Sequence, residues 1–348
     1  MKSLYCTADT IGTETGGGVV TRNELEALRS VSEVESVLSQ DNIAPGRFHQ
    51  PDSPFLYDYF ALEQIKDKDF DLAHFYSGCF SQTVRYLKER GTKVTYTIDA
   101  HDRALSIEEF HRLGMDYPFH HVTDDRVWNI YTEGGRLADI VIAPSSKSAQ
   151  ILKANGCRKV FIIPHGVNLP KQVKPIPERF DVGYLGAVGP DKSLIDLITA
   201  WATLKYADSR LILAGGGTET LEPFIRQVAD KANFVLLGRV PSPSDLYNAC
   251  SVYVQPSVTE GFGIGILEAM AHGRPVIASE GAGASDLIDD SIGFVVSTRS
   301  PEAIAEKIDW LKNNRDSIPD MGLRARRKAR NFTWGKIRER YAQLFTTL

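Results

Sequence analysis

Short apolar, β-branched runs recur along the chain, each closed by a polar or glycine-rich turn, and between them lie stretches whose apolar residues return every three or four positions. Residues 3–7, 71–75, 93–98 and 160–163 read as strands in the first half, and 210–214, 234–240, 252–254 and 276–278 in the second. Residues 138–146 read as strand, turn and helix N-cap, and 181–189 opens a new strand-to-helix unit. Helical spacing is clearest in Leu194, Leu197, Ile198, Trp201 and Leu204, and in Ile266, Leu267, Met270 and Ala271. Val19, Leu25 and Leu28 mark an earlier helix, 57–65 another, and the chain is helical from Pro301 on. Continuous apolar strands alternating with helices predict an α/β fold with parallel sheets covered on both faces.

At 348 residues the chain has room for two such domains, each with its own core. Residues 169–178 hold three prolines and two lysines with no apolar period, so the linker is placed at 169–180, between a first domain over 1–168 and a second over 181–333.

The chemistry concentrates in residues 251–279, which read strand, glycine-rich turn, helix, strand. Glu260 stands in the turn and Glu268 just over one turn inside the helix, with Gly261, Gly263 and Gly265 leaving backbone amides unshielded. A helix N-terminus of that kind attracts phosphate oxygens. Two carboxylates beside a phosphate repel it unless they face neutral hydroxyls, and a carboxylate accepts two hydrogen bonds from a vicinal diol. The local pattern fits a ligand with phosphate in the middle and a sugar at each end.

Glu260-Gly261-Phe262-Gly263-Ile264 followed by Glu268-Ala269-Met270-Ala271, with Gly273 and the run from Pro275 to Ala278, resembles the E-x7-E signature of retaining, nucleotide-sugar-dependent glycosyltransferases of the GT-B fold, family 4 (group 1). The resemblance implies two Rossmann-like, doubly wound domains facing across a cleft, with the terminal helix at about 334–348 packing back on the first. It also implies that Glu260 contacts hydroxyls of the transferred sugar, that Glu268 holds the ribose, and that the backbone around Phe262, Gly263 and Ile264 meets the diphosphate. In that family a glycine loop after the first strand closes over the donor phosphates, matched here by Gly16, Gly17 and Gly18; a tight turn is the simpler reading of the same residues. A His-Asp pair after a first-domain strand reaches the sugar or the leaving oxygen, matched by His101, with Asp102 and Asp99 as orienting or acceptor-contacting groups; a loop-capping histidine fits as well. Lys192 matches the second of two cations that neutralise the leaving diphosphate. The first position is Ala187, a departure that leaves Arg22 or Arg103 as substitutes or turnover slow. The backbone of Gly238, Arg239 and Val240 lies against the nucleobase by the same resemblance, although Arg239 also reads as a surface charge, and residues 281–285 line the sugar side.

The implied reaction moves a sugar from a nucleoside diphosphate to a hydroxyl with retained anomeric configuration, with no cofactor beyond that co-substrate and no metal. The acceptor is a carbohydrate, a lipid-linked or a small-molecule hydroxyl, and residues 40–56, irregular and proline-rich, are a place for its contacts. Rival readings are a glycosidase, disfavoured because its two carboxylates should flank a glycosidic bond, a nucleotide-sugar epimerase of similar fold, and a non-catalytic sugar-nucleotide binding protein favoured by Ala187.

Composition removes other classes. A net charge of −4 argues against nucleic-acid binding through bulk charge. Cys6, Cys79, Cys157 and Cys250 lack CxxC spacing, and the spacings of His111, His120 and His121 do not give the i, i+4 face of a helical metal pair. No segment has the roughly 20 apolar residues of a bilayer span, so the expected location is cytoplasmic. The basic run 324–330 reads as a solvated helix face, with weak membrane-surface association as the alternative.

Overall fold

The computed structural model describes residues 1–13, 15–43, 53–77, 80–115, 125–228 and 233–348. Residues 44–52, Cys79, His120 and His121, to which sequence expectations were attached, lie outside them. The chain divides into two units. Met1–His101, Asp116–Gly166 and Trp334–Leu348 form the first; Asp102–Met115 and Val167–Thr333 form the second.

The first unit is built on β1 (Lys2–Thr7), β2 (Glu33–Leu38), β3 (Leu72–Tyr76), β4 (Lys93–Thr97), β5 (Ile140–Ala143) and β6 (Val160–Ile162). They form one parallel sheet in the order β2-β1-β3-β4-β5-β6. Central β3 is buried along its length, whereas edge strand β6 exposes Phe161 and Ile162. The order reverses between β1 and β3, and in open parallel sheets ligands settle beyond the strand ends at such a reversal.

The second unit repeats the plan with β7 (Asp181–Leu185), β8 (Arg210–Ala214), β9 (Phe234–Gly238), β10 (Val252–Gln255), β11 (Val276–Ser279) and β12 (Gly293–Val296), ordered β12-β11-β10-β7-β8-β9. Its reversal lies between β7 and β10. Leu194–Leu204 packs with Pro301–Asn313, and Ile264–Ala271 with Ile318–Ala329, so each face of the sheet has its own apolar layer. That is what runs of residues buried on both sides require.

Sequence and structure differ at several places. Residues 169–180 run along the second unit: buried Arg274 donates to the carbonyls of Lys174 and Pro175, Arg326 to that of Pro170, and Arg315 to those of Pro177 and Glu178. Helix Arg103–Arg112, in the first half of the sequence, clusters with the second unit; fully buried Glu109 is held there by Arg299 and Arg112. The run 324–330 is not simply solvated: Arg324 donates to Ser291, Arg326 to Ala271, and Lys328 pairs with Asp289. The terminal helix Trp334–Thr346, by contrast, clusters with the first unit as expected, with Tyr341 and Phe345 against the ring of His74 and Arg338 reaching Asn23 at 3.0 Å. Among the described residues no helix is long and apolar enough to cross a membrane.

Candidate functional site

At the β7/β10 reversal, β10 runs out through Pro256 into a turn that ends at Gly263, whose φ of 88° is the left-handed region a side chain disfavours. Helix Ile264–Ala271 starts there with no side-chain cap, the condition under which its first amides are offered to an anion. The Phe262 side chain is buried in the core, so its contribution to a ligand is its backbone. Gly273, with φ of 68°, ends the element as the sequence reading placed it.

Glu260 is fixed from three directions. Its backbone pairs with residues 281–283, its amide donating to the Gly281 carbonyl at 3.0 Å and its carbonyl accepting from Gly283 at 3.0 Å. One carboxylate oxygen meets Lys192 Nζ at 3.0 Å. The other accepts from Ser257 Oγ at 3.0 Å and Gln255 Nε2 at 3.3 Å, and Gln255 in turn accepts from Tyr253 OH at 2.6 Å. Lys192 closes a 3₁₀ turn, Pro190–Lys192, that stands between the glycines after β7 and helix Leu194–Leu204. The sequence reading had started that helix directly after Gly189.

Glu268 lies one turn inside its helix and accepts a hydrogen bond from the buried Tyr247 hydroxyl at 2.8 Å. Burial pushes its carboxyl above the usual carboxylate range, with the Tyr247 bond acting in the opposite direction. Tyr247, packed on Tyr253 and His272, is a residue that sequence reasoning missed, as are Gln255 and Ser257. Their only sequence signal is polarity inside an otherwise apolar strand and helix.

Beside this, Ala187 is exposed and Val188 donates to the Gly216 carbonyl at 3.0 Å. Arg239 follows Gly238, whose φ is 60°, and its guanidinium lies over Gly216.

In the first unit Gly16, Gly17 and Gly18 are not a loop; they form the first turn of helix Gly16–Arg29, capped by Thr15, whose hydroxyl accepts from the Gly18 amide at 3.1 Å. A Cβ at Gly18 would run into Thr13, while Gly17 faces the Asp9 carboxylate. Burial, followed by the Glu24 charge, raises the Asp9 carboxyl. Asp99 approaches His165 Nε2 at 3.5 Å, and His101 is exposed. Sequence reasoning did not single out His165. Asp102 clusters with the second unit: its carboxylate caps helix Arg103–Arg112 through the Leu105 amide at 3.0 Å, and its own amide donates to Thr259 Oγ1 at 2.7 Å. Among the described residues no group of three or more His, Cys, Asp and Glu side chains is placed to hold a metal ion.

Residues 168–331 match the family profile described as Glycosyl transferases group 1, and residues 19–171 the one described as Glycosyltransferase Family 4. The chain is similar to the capsular polysaccharide biosynthesis glycosyltransferase CapM of Staphylococcus aureus, 30% identical over 46% of this chain and 44% of the relative. It is also similar to the D-inositol 3-phosphate glycosyltransferase of Salinispora tropica, 29% identical over 61% of this chain and 48% of the relative. The matched stretches thus span about half the length of these curated relatives. Among solved structures, a sucrose-phosphate synthase of Thermosynechococcus elongatus superposes with a TM-score of 0.80 at 19% identity, over 100% of this chain and 99% of that one. Anabaena HepE in complex with UDP superposes with a TM-score of 0.76 at 19% identity, over 100% of both. At such identities the likeness is one of fold. With two glycosyltransferase family profiles that between them cover residues 19–331, and with two units each built on a parallel six-stranded sheet, the chain belongs to the group 1 glycosyltransferases of the GT-B fold.

Proposed function

We propose that the protein transfers a sugar from a nucleoside-diphosphate sugar to a hydroxyl acceptor with retention of configuration, needing no metal. The observation that supports this reading most is the 3.0 Å contact between Lys192 and Glu260 beside an uncapped helix start. It places a cation suited to phosphate and a carboxylate suited to sugar hydroxyls next to a set of backbone donors. The helix amides and Lys192 take the diphosphate, and charge that builds on the leaving oxygen meets preorganised positive ends. Glu268, from inside the helix, takes the ribose diol.

Glu260 acts by position. Both of its oxygens already carry protein donors, so it is set as a hydrogen-bond acceptor and not as a nucleophile. In the proposed step the acceptor oxygen bonds to the anomeric carbon on the face from which the phosphate leaves. The carbon–oxygen bond to the diphosphate breaks, and the diphosphate takes the acceptor's proton. His101 meets the transferred sugar or the leaving oxygen, with Asp99 as an orienting or acceptor-contacting group. HepE is seen with UDP, which makes a uridine donor the first to try. The acceptor is a carbohydrate, lipid-linked or small-molecule hydroxyl, and relatives named for capsular polysaccharide biosynthesis and for D-inositol 3-phosphate make a glycan and an inositol phosphate the first to try.

Donors are screened by thermal shift, since a ligand at 100 times its Kd adds about 2.7 kcal/mol of stability. Glu268→Ala should weaken every donor that shares the preferred base, and Glu260→Ala should alter sugar preference and turnover while leaving UDP affinity largely intact. If both variants match the unaltered protein in donor affinity and turnover, the proposal fails. Product of retained configuration, read by proton NMR, tests the stereochemistry.

A further inference from the structure

A diphosphate that departs as an anion gathers charge, and Lys192, shared with Glu260 and with Asp191 at 3.6 Å, is a single ammonium to meet it. Position 187, one strand end away, carries no charge. Several other cations of the second unit are engaged within the protein. Arg299 is held by Glu108 and Glu109, Arg112 by Glu109, Arg274 by backbone carbonyls, and Arg210 and Arg179 by Asp181.

Arg239 differs from them. It is exposed, and among the described residues no carboxylate forms an ion pair with it. Its side chain is nevertheless placed: Nε lies 3.4 Å and Nη2 3.7 Å from where a Cβ on Gly216 would stand, so the guanidinium lies alongside that turn. The same Gly216 takes the Val188 amide at 3.0 Å, and Val188 Cβ is 3.4 Å from the Cβ position of Gly217. The turn after β8 therefore bridges Arg239 to the segment of Ala187. Glu219 comes within 3.7 Å of the Gly238 Cβ position without pairing to the guanidinium.

We propose that Arg239 supplies the positive charge that position 187 lacks, gripping the donor diphosphate from the β9 side while Lys192 grips it from the β7 side. A guanidinium suits this task because its planar fork bonds two phosphate oxygens at once. The inference rests on the donor-site reading given above, and goes beyond it in assigning a side chain to the phosphates where the family resemblance offers only backbone against the base.

The test is isothermal titration of UDP, UMP and uridine into the full chain and into Arg239→Gln, Arg239→Lys, Arg103→Gln and the double variant Ala187→Arg/Arg239→Gln. Circular dichroism and Tm serve as folding checks. Arg239→Gln should weaken UDP by about 10- to 100-fold and leave uridine unchanged. Arg239→Lys should retain part of the affinity, and Ala187→Arg should restore most of what Arg239→Gln loses. Unchanged UDP affinity in Arg239→Gln overturns the inference. So does an equal loss for UDP and uridine, which would put the guanidinium on the base, or a loss confined to Arg103→Gln. Failure of the donor-site reading looks different: UDP, GDP and ADP would all leave the unaltered protein's Tm where it was.

Discussion

A half-buried carboxylate such as Glu268, with one tyrosine hydroxyl for company, is held at the expense of its own ionisation. Its carboxyl is raised, so ionised Glu268 opposes folding above that raised value, and the opposition is relieved as the pH falls from there toward the unfolded-state value. Glu268→Gln should therefore stabilise the free protein at neutral pH, an advantage that shrinks on acidification and is measurable by denaturant melts across pH. Donor affinity should run the other way. Only the ionised form accepts both ribose hydroxyls, so UDP binding to the unaltered protein weakens on acidification at a higher pH than an exposed glutamate would give, and Glu268→Gln abolishes that step while weakening UDP by about tenfold. At this scale the sequence was legible where chemistry is carried by spacing: Glu260, Gly263 and Glu268 stand where the motif put them. It was silent on Tyr247, Gln255, Ser257 and His165, because each acts through a partner distant along the chain or through a strand end whose geometry the pattern does not fix. Arg239 was named from the sequence, but not as a side chain lying alongside Gly216.

Among elements, the buried parallel strands were readable and the margins were not. β2 and β12 passed without notice: one alternates charged and apolar residues, the other is four residues long, and both sit at sheet edges where half the environment is solvent. The glycines at 16–18 looked like a loop because glycine is a poor helix former; tertiary contact with Thr13 and Asp9 and the Thr15 cap outweigh that propensity. Helix Ser81–Glu89 shows the same effect at its own start. Its cap position is Phe80, which has nothing to offer the free amides. Asp58, buried in helix Ser53–Ile65, accepts instead from Gln82 at 2.7 Å and Thr83 at 2.8 Å. Asp58→Ala should lower unfolding free energy by about 1–2 kcal/mol and expose the first turn of 81–89 to hydrogen exchange, with Asp58→Asn recovering part of the loss.

At the scale of the molecule, the residues assigned to phosphate and ribose lie in the second unit. Saturating UDP should accordingly slow hydrogen exchange in β7 and β10 more than in β3 and β4, as read by mass spectrometry of peptides from each strand. Equal protection in both sheets would mean that the donor is held differently. That residues 102–115 cluster with the second unit was not legible beforehand, because nothing in their composition marks the change and the contact that holds them is remote. Glu109 and Arg299 are separated by 190 positions. During synthesis at about 5–20 residues per second, the glutamate leaves the ribosome about 10–40 s before its arginine. Throughout that interval Glu109 has Arg112 beside it but not Arg299, so the segment destined for the second unit waits half-paired, a ready client for a chaperone, until the last third of the chain arrives.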